Sequence, residues 1–138
     1  VKLTALSELA ASFPTAEVEY EDLLQYRYVP DARGQNKTAD CLWIVEEVFR
    51  RAGLGLPDLR LGDTAVTFHE VFAEVETADT LYDVLHMASS SGDGLFVVVR
   101  SGEALSIVPL AGVVRRKVIA IESLAGVTSY RVRPECLP

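Results

Sequence analysis

Apolar positions follow a helical period in the first two thirds of the chain and a strand-like one in the last third. Leu3, Leu6, Leu9 and Ala10 sit at helical spacing, which predicts a short helix over 2–12 closed by Phe13-Pro14. Thr15 can cap a second helix running to about Tyr26, although Val18 and Tyr20 begin a competing alternation. Residues 29–39 are polar and carry Gly and Pro, so they read as a surface loop. The clearest element follows. In CLWIVEEVFRRAG, Cys41, Ile44, Val45, Val48 and Ala52 share one face, while Glu46, Glu47, Arg50 and Arg51 form two Glu-to-Arg pairs four apart on the other. Asp40 is a suitable N-cap, Gly53 a suitable stop, and Pro57 lies beyond.

Residues 63–76 fit either period. Asp79 can cap a helix over 80–89 that buries Leu81, Val84, Leu85 and Ala88, and SSSGDG then turns the chain. GLFVVV (94–99) is a continuous apolar run, as expected of a buried strand. EALSIVPL (103–110), VVRRKVIAIE (113–122) and VTSYRVRP (127–134) complete an antiparallel meander. Helices first and strands last predict one α+β domain over 1–138.

Composition narrows the class. The chain has 138 residues, 49% of them hydrophobic, which suffices for a real core and excludes a disordered tail. No apolar run is long enough to span a bilayer, and the N-terminus, with Glu8 and no strongly apolar stretch, makes a poor signal peptide. A net charge of −7 argues against a nucleic-acid partner. Arg115, Arg116 and Lys117 are a local exception, read as a charged strand edge or, less simply, as a contact for an acidic partner. Two cysteines, Cys41 and Cys136, are too few for a disulfide scaffold and match no zinc spacing. His69 and His86 have no companion at ligand spacing, so neither a metal nor a cofactor is expected.

Cys41 opens the central helix, where unpaired N–H groups and the helix dipole favour a thiolate. The run YRYVPDARGQNKTADCLWIVEEVFRRAGLGLPDL resembles the cysteine region of the NlpC-type papain-like cell-wall peptidases, in the version carried by tailed phages. Tyr28, Asp40-Cys41, Val45, Val48-Phe49, Gly53-Leu54 and Leu56-Pro57 match in order and spacing. GDGLFVVV resembles the strand that the family opens with Gly-Asp.

The resemblance implies a papain-like α+β fold and cleavage of peptidoglycan stem peptides by a Cys–His pair with a third polar residue. It places the histidine near Ala104 or Leu105 and the third residue near Ile119 to Ile121, yet no histidine follows His86. Without an imidazole nothing takes the thiol proton near neutral pH. Leu42 and Trp43 also replace the family's small residues, and Trp43 crowds the substrate groove. The expectation is therefore a degenerate relative, with Cys41 vestigial and Tyr28, Asp40 and Trp43 around it as binding or packing residues. Its partners would be other tail or particle proteins, or peptidoglycan, and its place a virion tail or the cytoplasm before assembly. Two alternatives stand beside it. One is an active cysteine peptidase or amidase with His86 or His69 as relocated base. The other is a generic acidic protein-interaction domain.

Overall fold

The computed structural model describes residues 1–6, 17–57, 59, 64–88 and 93–138. Thr4–Ala5 (β1) pairs antiparallel with Leu54–Gly55 (β4), so the expected first helix is not formed there, and its remainder, 7–12, lies outside the described residues. The second expected helix is only a 3-10 turn, Glu21–Gln25, after an extended stretch. Val18 and Tyr20 are buried and Glu17 and Glu19 exposed, so the competing alternation prevails. The loop over 29–39 holds a 3-10 turn, Gln35–Lys37, and Thr38–Ala39 (β3), parallel to Arg27–Tyr28 (β2).

Helix α1, Cys41–Arg51, forms as its sequence dictates. The Trp43 N–H donates to Asp40 Oδ1 at 2.8 Å, and Gly53 takes the left-handed conformation (φ +89°) that stops the helix. Ile44, Val45, Val48 and Phe49 are buried. The charged face departs from two parallel pairs. Glu47 is itself buried and holds both Arg50 and Arg51, while Glu46 pairs with Arg33 across the loop. Burial works against the Glu47 carboxylate, but the two guanidinium groups outweigh it and hold its pKa below the usual range. Arg51 also grips Asp22 through two bonds of 2.6 and 2.8 Å, tying α1 to the 3-10 turn at 21–25.

The ambiguous segment divides into α2, Thr64–Val71, and β5, Phe72–Val75. Beyond it the expected helix over 80–89 is replaced by β6, Val84–Met87. Tyr82 has φ +70°, which ends any helix there, and Asp79 caps nothing but accepts from Thr80 Oγ1 and Arg131. Residues 89–92 of the expected turn lie outside the described residues. The strands β7 (Gly94–Arg100), β8 (Glu103–Val108) and β9 (Gly112–Lys117) follow as a meander. The third expected strand stops at Lys117, where the chain turns into α3, Val118–Glu122, which buries Val118 and Ile121 one turn apart. The last strand is β10, Val127–Val132.

These strands form a six-stranded antiparallel sheet of order β5-β10-β6-β7-β8-β9. The final strand thus inserts between β5 and β6, which a pure meander does not allow. Helix α1 packs on β7 and β8 over one face. Val84, Val97, Val99, Leu105 and Ile107 belong to that core, while Leu85, Phe96, Val98 and Ala104 meet Val118 and Ile121 on the opposite face. Covering both faces is what makes β7 read as an unbroken apolar run.

Candidate functional site

The N-terminus of α1 gathers Tyr28, Asp40, Cys41 and Trp43, the residues singled out in the sequence, beside the start of β7. Cys41 is half-buried and a free thiol, as is the buried Cys136, so the two share no disulfide. The main-chain amide of Leu95 faces the Cys41 sulfur. Burial nevertheless pushes the thiol above its ordinary value. The Leu95, Cys41 and Leu42 amides favour the thiolate as expected of a helix start, and the Asp40 carboxylate opposes it. The helix start favours the thiolate as its sequence position implies, but removing the sulfur from water costs more than the exposed amides return.

The neighbours reinforce this. The Tyr28 phenol is also raised, first by burial and then by the negative charges of Cys41, Asp40 and Asp31. Arg33 is the nearby cation, but its guanidinium is engaged by Glu46 and lies 4.0 Å from Asp40. Trp43 lies in the first turn of α1, two positions after Cys41. It stacks on Tyr26 with ring centroids 5.4 Å apart, and Gly34 lies against its six-membered ring. Tyr26, Arg33, Gly34, Glu46 and Leu95 were not foreseen as members of the site. Only Gly34 carried a signal, as a glycine within a polar loop. The Arg33–Glu46 pair and the Leu95 contact depend on how distant segments meet.

A Cβ on Gly34 would lie 2.5 Å from Trp43 Cζ2, at a φ of +96°. Gly34→Ala is therefore expected to lose about 2 kcal/mol, from left-handed strain and displacement of the indole. It should shift Trp43 fluorescence to the red and speed alkylation of Cys41. An unchanged emission maximum with unchanged stability would show that the loop does not press on Trp43.

The positions to which the resemblance assigns a base hold none. Ala104 points to the far face of the sheet, Leu105 is fully buried beneath α1, and Ile119 and Ile121 lie on α3 rather than on a strand. His86 is on β6, paired in register with Leu95 of β7, so the two side chains share the face that carries α1. Its Nε2 is 3.6 Å from Asp93 Oδ2. Among the described residues no hydrogen bond or ion pair joins either histidine to Cys41. His69 is exposed on α2, its ring against Phe68 and Tyr130. Among the described residues no three His, Cys, Asp or Glu side chains converge as a metal site requires, and no helix is long and apolar enough to cross a membrane.

No family model matches the chain, and no curated protein matches it.

Proposed function

We propose that this chain is a catalytically silent relative of the NlpC-type cell-wall peptidases, a structural or peptidoglycan-contacting component of a phage tail or related particle. The family likeness rests on the run around Asp40-Cys41 and on a helix-borne cysteine facing an antiparallel sheet. The silence rests on one observation: the Cys41 sulfur is shielded from water and has the Asp40 carboxylate rather than an imidazole beside it, which the Leu95 amide does not offset. A thiol so placed stays protonated at neutral pH and cannot attack a peptide carbonyl.

Incubation with intact peptidoglycan and soluble muropeptides is expected to give no cleavage, and Cys41→Ser to change nothing. In a Cys136→Ala background, alkylation of Cys41 should rise about tenfold per pH unit through neutrality without reaching a plateau. Cysteine-dependent release of stem peptides would overturn the proposal. Co-sedimentation with sacculi then separates a wall-contacting role from a purely structural one.

A second reading is favoured by the place of His86, cross-strand from Leu95 with Asp93 at hand. It makes His86 a relocated base oriented by a carboxylate. That reading requires alkylation of Cys41 to level off near pH 6 and the plateau to vanish in His86→Ala.

A further inference from the structure

Among the described residues the sheet ends in two strands that each have a hydrogen-bonded neighbour on one side only, β5 and β9, with the 3-10 turn at 21–25 and β2 also packed against β9. Their exposed charges are opposite. Arg115, Arg116 and Lys117 project to solvent from β9, whereas Glu74 on β5, Glu76 just after it and Glu70 just before it are exposed at the other edge. On a chain of net charge −7, three adjacent cations on one edge strand stand against the overall sign.

We propose that copies of this chain associate head to tail, β9 of one copy pairing antiparallel with β5 of the next. Strand direction carries the argument. All five pairings in the sheet are antiparallel, so with six strands the two edges run in opposite directions. A second copy set beside the first with α1 on the same face therefore presents β5 antiparallel to β9, and the alternation continues unbroken across the junction.

Charge selects this junction over the others. Pairing β9 with β9 sets cations against cations, and β5 with β5 sets carboxylates against carboxylates, so both symmetric dimers are disfavoured. The mixed junction brings Arg115 and Lys117, which share the α1 face of β9, beside Glu74 on the same face of β5, with Glu76 and Glu70 flanking that strand and Arg116 on the opposite face. Local groups temper the contrast without reversing it. Tyr20, Glu103 and Glu21 lie near Arg115, and Arg133 lies near the β5 edge, bonded to the His69 carbonyl. Since β5 has four residues, the shared ladder is short and the association correspondingly weak. A heterologous contact of this kind builds rings or open filaments rather than closed pairs. The inference rests on the sheet edges and not on the proposed function: a particle component that binds only unlike partners would leave that proposal standing and remove this one.

Sedimentation of the full chain over micromolar to millimolar concentrations tests it. Concentration-dependent oligomers are expected at low salt, weakened at least tenfold in about 1 M salt, where the Debye length shrinks to roughly 3 Å. Arg115→Glu with Arg116→Glu and Lys117→Glu should give monomers. So should Glu70→Lys with Glu74→Lys and Glu76→Lys. Mixing the two variants should restore association, as should combining all six changes in one chain. Should a variant fail to fold, zero-length carbodiimide coupling of mixed isotopically light and heavy wild-type chains replaces it, with Lys117 joined to Glu74 or Glu76 between copies as the expected product. A wild type that stays monomeric throughout overturns the proposal. Association that survives either reversal, or coupling that joins other sites only, does so equally.

Discussion

Replacing Arg131 with Ala is expected to lower the unfolding free energy at neutral pH by about 3 kcal/mol, the low end for breaking a buried ion pair. Asp83 is fully buried, and Arg131 holds it through Nε to Oδ1 at 2.9 Å and Nη2 to Oδ2 at 2.8 Å. The Thr80 N–H supplies a further bond at 3.1 Å. The low end applies because the Arg131 side chain is 36% open to water. Burial raises the Asp83 pKa above its ordinary value, with Arg131 opposing the shift. A carboxyl raised in the folded state favours folding below its unfolded pKa, and that contribution is lost as pH rises through the folded value. Without Arg131 the folded value climbs further. The deficit against wild type should thus be largest at neutral pH and shrink as pH falls through the raised value at which the orphaned carboxyl takes up its proton. Urea unfolding at several pH values reads this directly. Asp83→Asn, which keeps the shape without the charge, should lose only about 1 kcal/mol. A deficit that does not change with pH would show that an uncompensated charge is not its cause.

Phe49→Ala is expected to cost about 4 kcal/mol, the largest effect of any single truncation in α1. The Phe49 ring is fully buried and meets Phe72 edge-on at 5.9 Å and Tyr82 at 6.0 Å. It therefore links the cysteine helix to an edge strand and to the turn before β6, and no neighbour can fill the space without moving a strand. Phe49→Leu, which retains most of the volume, should cost about 1.5 kcal/mol at most. The difference between the two midpoints in urea, at an unchanged slope, is the measurement. Equal losses for both variants would mean that the ring contacts rather than the filled volume set the stability.

Cys41 shows how far local reasoning reaches into the site. Its place at the head of α1 follows from Asp40, from the apolar spacing after it and from Gly53. Its chemistry does not follow. The burial imposed by the sheet outweighs both the helix start and the amide of Leu95, 54 positions further along the chain (95 − 41). His86 is similar. The apolar spacing around it suits a helix, yet it sits on a strand opposite Leu95. Val84 and Leu85 reach the two opposite cores of a sheet covered on both faces, and neighbouring apolar residues then carry no parity from which to read a strand.

The amino-acid sequence by itself determined helix α1 with both of its ends, the buried strand β7, and the positions of β8 and β10. Each of these depends on side chains and backbone groups within a few residues of one another. Only the tertiary structure decided that β10 lies between β5 and β6, that Asp83 meets Arg131, and that the opposed charges fall on the two edges of the sheet. Such pairings join segments distant in the chain, and their energy exists only once both partners have left water together.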